Sequence, residues 1–223
     1  MEQTKIWSHF QNRRHDVFSQ AENRHRFLLG RIPRGRILNI GVGHGGFERI
    51  AAAAQREVYS LDPDGDAVAR IAQLGISKAV EGSIDAMPFD DGYFDGVVCS
   101  EVLEHLGDDL LTKGLAEIRR VMRSAGELHG TVPADENLSE SEVICPCCGA
   151  LFHRWGHAQS FSQERLRKLL DGVGSAHIER RTFVHWPSLN WKGKTAASLR
   201  MLLATFGSSG GAGNYYFTVR KDG

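Results

Sequence analysis

The sequence predicts an α/β fold built on a doubly wound, mostly parallel sheet. A short apolar run leads straight into a glycine-rich turn, and a second apolar strand ends on an acidic residue about twenty positions later. Ile37, Leu38 and Ile40 supply the apolar run of a central parallel strand, which is covered on both faces and therefore need not alternate. The chain then continues in alternating helical and strand patterns. A ligand is expected at the carboxyl ends of the strands.

The glycine-rich turn follows the first strand at Gly41, Gly43 and Gly45. Glycines at every second position allow positive φ angles and let a ligand approach the main chain without a Cβ in the way. The alanine-rich segment 46–55 is predicted to be the next helix, with the ligand at its N-terminus. This spacing is one residue tighter than the dinucleotide pattern. A turn that merely connects strand and helix is therefore the alternative interpretation.

The second strand, residues 57–62, ends on Asp62. In a doubly wound sheet the end of strand two lies beside the end of strand one. Asp62 can therefore accept hydrogen bonds from the two ribose hydroxyls of an adenosine. A surface aspartate that simply ends a strand is the alternative, but its position relative to the glycine turn favours binding.

The remaining elements follow from periodicity and from turn and cap residues. Residues 4–30 predict one or two amphipathic helices that cover the sheet or the mouth of the site. Ser162 is the predicted N-cap of the last large helix. The other predicted helices are 66–74, 110–122 and 165–170, and the other predicted strands are 79–86, 96–100, 126–133, 177–184 and 215–220.

Length and charge limit the classes of protein. The 223 residues suffice for one large α/β domain with appendages, and Lys plus Arg equals Asp plus Glu at 27 each. A net charge of zero provides no global field that would recruit nucleic acid or an anionic membrane. No apolar run approaches the roughly 18 residues of a spanning helix, and no signal peptide or lipidation motif is recognised. We therefore expect a cytoplasmic protein.

Several motifs follow one another in a diagnostic order. They are Asn39-Ile-Gly-Val-Gly-His-Gly45, Asp62, Gly82-Ser-Ile-Asp-Ala-Met-Pro-Phe89, Phe94-Asp-Gly-Val-Val98, Glu101-Val-Leu-Glu-His105 and Ser124-Ala-Gly126. Together they resemble the class I S-adenosylmethionine-dependent methyltransferases. The resemblance is strongest to the small-molecule branch that includes the ubiquinone-type and sugar-modifying enzymes. It covers residues 34–185 and is more specific than any single motif.

The resemblance implies a Rossmann-like doubly wound sheet of seven strands in a single domain, residues 1–223. A helical N-terminal cover would occupy 1–33 and the cofactor-binding core 34–133. A Cys/His-containing insertion after strand five would occupy 134–160, and the C-terminal helix with strands six and seven 161–223. Acceptor specificity is expected in the insertion and in the loop 186–214.

The resemblance also implies S-adenosylmethionine as cofactor. In this interpretation the glycines line the methionine moiety, Asp62 binds the ribose, Ser83 and Ile84 frame the adenine, and the residues after strand four close on the cofactor. The residue at position 39 stands where the family usually carries an acid that holds the cofactor ammonium; an amide can accept but brings no charge. The implied set is Asn39, Gly41, Gly43, Gly45, Asp62, Ser83, Ile84, Glu101 and Val102.

Methyl transfer from a sulfonium is an in-line displacement, so alignment and exclusion of water can supply most of the catalysis. A base is needed when the proton of the acceptor must leave early, as with a sugar or alcohol hydroxyl. His105, just past strand four, and His157, in the insertion, are the candidate bases. For His105 the alternative is a residue that only shapes the cofactor site.

The insertion contains Cys145-Pro-Cys-Cys-Gly, followed by two histidines. Cys145, Cys148, His153 and His157 form a complete tetrahedral ligand set for a structural zinc ion, and Cys147 could replace either thiolate. The alternative is unmetallated thiols, with His157 free to face the substrate.

The predicted function is S-adenosylmethionine-dependent methyl transfer to a small molecule or glycan, with O-methylation favoured. The alternatives are an RNA or protein methyltransferase, which the basic ends of the chain could serve, and a non-catalytic cofactor-binding partner subunit.

Overall fold

The computed structural model describes residues 4–13, 21–183 and 213–222, together with a few positions between 190 and 198. Seven strands form one sheet in the order β3-β2-β1-β4-β5-β9-β8. β9 is antiparallel to both of its neighbours, and the pairs from β3 to β5 are parallel. The strands are β1 (Ile37–Ile40), β2 (Val58–Asp62), β3 (Lys78–Glu81), β4 (Phe94–Ser100), β5 (Met122–Pro133), β8 (Ser175–Arg181) and β9 (Asn214–Arg220). The predicted seven-stranded α/β class is confirmed.

Two further strands, β6 (Glu142–Ile144) and β7 (Leu151–His153), form a separate antiparallel hairpin. This hairpin lies within the predicted insertion after β5. Its turn, residues 145–150, carries Cys145, Cys147 and Cys148.

In the described part of the chain, six α-helices connect and cover the strands. Ser162 is the N-cap of α6, as predicted, and its side chain accepts a hydrogen bond from the backbone N–H of Arg165. Asp64 caps α4 in the same way through the N–H of Ala67. The helices are α1 (Thr4–Arg13), α2 (Glu22–Arg31), α3 (Gly46–Ala53), α4 (Gly65–Leu74), α5 (Asp108–Val121) and α6 (Gln163–Leu170).

Some predicted boundaries were wrong. β3 ends at Glu81, because Gly82 and the turn after it leave the ladder. β5 begins at Met122, which pairs with Phe94 rather than extending α5. The apolar residues before Met122 recur at helical spacing, so the sequence pattern assigned Met122 to the helix rather than to β5. Residue 184 and most of the loop 186–214 lie outside the described residues.

Apolar side chains are buried on both faces of the sheet. One face packs a large cluster around Phe94, Val97 and Phe217, and the other packs Phe47 and Tyr216 beneath α2 and α3. Covering both faces is what allows central strands to read as continuous apolar runs. Among the described residues, no helix has the length and apolar character needed to cross a membrane.

Candidate cofactor and acceptor site

A cavity of about 990 Å³ opens at the carboxyl ends of β1, β2 and β4. This is where an open α/β sheet is expected to bind its ligand. Seven of the nine predicted cofactor-binding residues line the cavity: Gly41, Gly43, Asp62, Ser83, Ile84, Glu101 and Val102. Both candidate bases, His105 and His157, line it as well.

The glycine turn forms one wall of the cavity. Gly41 has φ +82°, and a Cβ at this position would lie 2.6 Å from Cγ2 of Val102. Gly43 has φ +54°, and its carbonyl accepts a hydrogen bond from Arg70 Nη2 at 2.8 Å. A side chain at Gly41 would fill the space beside Val102. The turn therefore keeps main chain exposed to the cavity, as a cofactor cradle requires.

Asp62 ties the ends of β1 and β2 together. It is only 1% exposed; Oδ2 accepts from the N–H of Val42 at 2.8 Å, and Oδ1 accepts from the N–H of Asp64 at 2.9 Å. Gln11 of α1 donates to Oδ2 at 3.3 Å. Burial raises the pKa of Asp62, although these hydrogen bonds act to lower it. The carboxylate is therefore preorganised as an acceptor, and its contact with a ribose stays a prediction.

Two predicted cofactor residues are not among the described residues that line the cavity. Asn39 donates through Nδ2 to Glu48 Oε1 at 2.7 Å and to the carbonyl of Gly41 at 3.3 Å, so its amide is directed to a buried network rather than to a cofactor ammonium. Gly45 caps α3 at φ +83°, and a Cβ there would lie 2.3 Å from Cδ1 of Ile71. Asn39 therefore bonds within a buried network and Gly45 packs beside Ile71, and a contact of either residue with the cofactor stays a prediction.

The network below the turn contains a buried carboxylate. Glu48 has no exposed surface, and its Oε1 accepts from Asn39 and from Ser60 Oγ at 2.8 Å. Oε2 has no hydrogen-bond partner in the described part of the chain. Burial raises the pKa of Glu48 above its usual value.

A raised carboxyl pKa makes the stability of the protein depend on pH. The folded state holds the Glu48 proton more tightly than the unfolded state, so this group lowers the free energy of unfolding as pH rises from the unfolded pKa through the folded pKa. A tenfold difference in proton affinity between the two states corresponds to about 1.4 kcal/mol. We expect Glu48→Gln to flatten the decline in unfolding free energy at pH values above about 4.5, measured by urea denaturation. A slope equal to that of the unsubstituted protein would contradict the raised pKa.

Helix α1 covers the mouth of the cavity. The ring of Trp7 packs edge-on against His105 at 5.0 Å between centroids, and Phe10 packs against Trp155 of the insertion at 5.3 Å. Gln11 reaches Asp62, as described above. The amphipathic pattern predicted a covering helix, but no sequence signal identified these three contacts.

The two candidate bases lie side by side, with ring centroids 4.9 Å apart. His105 Nδ1 is 3.0 Å from the carbonyl oxygen of Gly156, which can only accept, so Nδ1 carries the proton and Nε2 carries the lone pair. His157 Nδ1 donates in the same way to Glu136 Oε2 at 2.5 Å. Burial lowers the pKa of His105 to about 4, so this ring is neutral.

Two acidic residues lie close to these histidines, and sequence reasoning missed both as functional groups. Burial acts to raise the pKa of Glu136, but the hydrogen bond from His157 and the nearby histidines bring it below its usual value. Glu104 lines the cavity at 1% exposure; burial, then the charge of Glu101, raises its pKa well above the usual range. Glu104 lies inside the Glu-Val-Leu-Glu-His motif, whereas no sequence signal pointed to Glu136.

The predicted four-ligand zinc set is not assembled. In the hairpin, Ile144 faces Leu151 and Glu142 faces His153, so the cysteines lie at the tip and His153 lies at the base. Three residues of strand separate the tip from the base by about 10 Å. The groups of three or more ligand side chains in the described residues contain no cysteine. They are Glu104, His105, His157 and Glu136, His153, His157.

Comparisons with known proteins agree with this geometry. Residues 38–129 match the family described as a methyltransferase domain. The chain is 30% identical over 180 residues to the Mycobacterium tuberculosis protein named "Probable S-adenosylmethionine-dependent methyltransferase Rv3030", an alignment that covers 79% of this chain and 60% of that protein. The chain therefore spans about 60% of the length of this relative.

Two solved structures share the fold at low sequence identity. A 1,6-didemethyltoxoflavin-N1-methyltransferase of Burkholderia thailandensis, solved with its substrate and S-adenosylhomocysteine, is 18% identical with a TM-score of 0.65, covering 99% of this chain and 87% of that one. The methyltransferase chain of a Haloferax volcanii complex with the Trm112 methyltransferase activator is also 18% identical, with a TM-score of 0.67 and 97% and 98% coverage.

The family match and the relative indicate the same class of protein. The strand order and the cavity at the ends of β1, β2 and β4 agree with that class. The chain contains a methyltransferase domain with the fold of the class I S-adenosylmethionine-dependent methyltransferases.

Proposed function

We propose that this protein transfers a methyl group from S-adenosylmethionine to a hydroxyl of a small molecule or glycan. The observation that supports a hydroxyl acceptor is the pair of imidazoles, His105 and His157, which lie side by side at the end of the cavity with each Nδ1 bonded to an oxygen atom. A hydroxyl needs a group that takes its proton, whereas a neutral amine already presents a lone pair. The likeness to the sugar-modifying and ubiquinone-type branch stays part of this proposal.

The bound cofactor supplies an electrophilic methyl group on a sulfonium. Glu136 holds His157 with Nδ1 protonated, so Nε2 receives the proton of the acceptor hydroxyl. The bound S-adenosylmethionine would give its methyl carbon to the acceptor oxygen, and the electrons of the carbon–sulfur bond would remain on sulfur. Trp7 and Phe10 of α1 limit the access of water to this end of the cavity.

Other acceptor classes are outcomes of the same test. The Haloferax volcanii neighbour is bound to an activator protein, and the Burkholderia neighbour methylates nitrogen. Both neighbours are 18% identical to this chain, so their similarity indicates the fold and not the acceptor. The balanced charge of this chain favours a small neutral or polar acceptor over a nucleic acid.

The test is to incubate the protein with methyl-labelled S-adenosylmethionine and with cell lysate separated into small-molecule, glycan, nucleic-acid and protein fractions. We expect label in one of the first two fractions. Label in RNA or protein would overturn the acceptor class, and cofactor binding without label in any fraction would favour the non-catalytic partner subunit.

The same assay tests the role of the base. We expect Glu136→Gln to lower the labelling rate about 10- to 100-fold with unchanged cofactor affinity, because Glu136 acts only through His157. Glu142→Gln, an exposed carboxylate of the same insertion, is the matched control and should keep the full rate. Equal rates for both variants would contradict the proton-transfer step.

A further inference from the structure

We propose that Glu104, His105 and His157, here called the Glu-His-His cluster, bind one zinc-type divalent cation at the acceptor end of the cavity. The three side chains present ligand atoms that all lie within 4.8 Å of one another, and all three residues line the cavity. The site differs from the predicted Cys/His set. Only its catalytic use rests on the proposed function.

The carboxylate of Glu104 is buried away from solvent and has no hydrogen-bond partner among the described residues. Both of its oxygens are buried and lack a hydrogen-bond partner in the parts of the chain that the structure describes. An unpaired carboxylate in such a position is costly, and buried charges are normally paired or bound to a metal. The main chain holds the residue firmly, because its carbonyl accepts from the N–H groups of Ala158 and Gln159 at 2.7 and 3.0 Å. The residue is therefore positioned, and its side chain is available to a cation.

The two imidazoles are prepared as ligands. A metal-bound histidine usually donates its other N–H to a carbonyl or carboxylate, which fixes the tautomer and the ring orientation. His105 makes this bond to the Gly156 carbonyl, and His157 makes it to Glu136. In the neutral ring of His105 the lone pair is on Nε2, and in His157 the bond to Glu136 makes Nε2 the nitrogen that a cation would take. The outer partners of a histidine-ligated metal are thus already in place.

The neighbouring group of Glu136, His153 and His157 fits a cation less well. The backbone N–H of His157 donates to Nδ1 of His153 at 3.1 Å, so Nε2 of His153 carries a proton and has no lone pair to offer. Nδ1 of His157 is occupied by Glu136. The chemistry of the donor atoms therefore selects the Glu-His-His cluster.

Two imidazoles and one carboxylate are a ligand set of catalytic zinc sites, which leave the fourth position open. A tetrahedral ion with bonds of about 2.1 Å needs ligand atoms about 3.4 Å apart, so the side chains must close by roughly an ångström. All three residues line the cavity, so an acceptor bound in the cavity would have access to the open position. A hydroxyl bound there would have a lowered pKa and would lose its proton to water. When the metal is bound, His157 is one of its ligands. His157 can take the proton of the acceptor hydroxyl only in the metal-free protein.

The first experiment measures metal binding without reference to activity. The full-length protein is stripped with a chelator, titrated with Zn²⁺, and analysed for bound metal; a parallel sample receives Co²⁺ and its absorption spectrum is recorded. We expect one tightly bound ion per chain and visible Co²⁺ bands without the intense near-ultraviolet bands of thiolate ligands. Thiolate bands, or no bound ion, would overturn the proposal.

Variants identify the ligands. We expect Glu104→Gln and His105→Ala to weaken Zn²⁺ binding at least about 100-fold, because each removes a direct ligand. His153→Ala and the double variant Cys145→Ser with Cys148→Ser should bind one ion as before. Thermal unfolding shows whether each variant is folded, and the Co²⁺ spectrum of Glu104→Gln gives a second readout. Loss of the ion in the cysteine or His153 variant, with retention in His105→Ala, would overturn the assignment.

The metal measurement and the labelling assay can fail separately. A bound ion in a protein that labels no small molecule or glycan would keep the site and refute the acceptor class. Full methyl transfer by a protein that binds no ion would refute the site and keep the proposed function.

Discussion

Replacing Asp62 by asparagine is expected to raise the dissociation constant for S-adenosylmethionine about 10- to 100-fold. Hydrogen bonds to a charged group contribute about 1.5–3 kcal/mol, and about 1.4 kcal/mol corresponds to a factor of ten. The carboxylate already accepts from Val42 and Asp64, so an amide would also place a donor against one of these N–H groups. The loss of affinity therefore has two sources, which are the missing hydrogen-bond acceptor for the ribose and the altered hydrogen bonds at the ends of β1 and β2.

Calorimetric titration with S-adenosylhomocysteine measures the change, and an analogue that lacks the ribose hydroxyls separates its two sources. If Asp62 binds the ribose, the analogue binds weakly to the unsubstituted protein, and Asp62→Asn weakens it little further. Asp90→Asn is the matched control, since Asp90 is exposed and does not line the cavity. Equal losses of both ligands in Asp62→Asn would refute the ribose contact.

The second large effect concerns stability. We expect Gly130→Ala to lower the free energy of unfolding by at least about 3 kcal/mol, the upper range for forcing an extra carbon into a packed core. A Cβ at Gly130 would lie 2.3 Å from Cζ of Phe217 and 2.4 Å from the carbonyl oxygen of Cys99. The carbonyl belongs to the main chain of β4 and cannot move aside cheaply. The melting temperature should fall by roughly 6–12 °C.

The same substitution at Gly30 is the control. Gly30 lies in α2, and among the described residues no heavy atom outside its chain neighbours and its own helix backbone lies within 4 Å of an added methyl group. Gly30→Ala should therefore raise stability by about 0.5–1 kcal/mol. Both melts are recorded without cofactor, because ligand binding would mask the difference. A Gly130→Ala protein as stable as the original would mean that Phe217 and β4 are not packed as described.

Local patterns determined the framework of this protein. The apolar run of β1, the glycine turn and Asp62 lie within 26 residues, and each carries its own turn or period signal. The N-cap Ser162 was also predictable from local sequence, because a cap depends only on the residues at the start of its helix. The doubly wound sheet of seven strands followed from the resemblance of the ordered motifs to one family. These features needed no knowledge of distant contacts.

Side-chain direction and long-range contact were decided only by the tertiary structure. Asn39 was expected at the cofactor, but it donates to Glu48 of the next helix, nine residues away. The zinc prediction counted residues along the chain, and the register of the β6–β7 hairpin then separated the cysteines from His153. Spacing in sequence says nothing about which end of a hairpin a residue occupies.

The acceptor end shows the same limit most clearly. Glu104 and His105 follow β4, whereas Glu136 and His157 belong to the insertion after β5, and the three-dimensional fold brings the four residues together. The sequence by itself determined a cofactor-binding sheet, because helix and strand periods and turn residues are encoded locally. Only the tertiary structure decided which acids meet which histidines, because that depends on how the insertion folds back over β4.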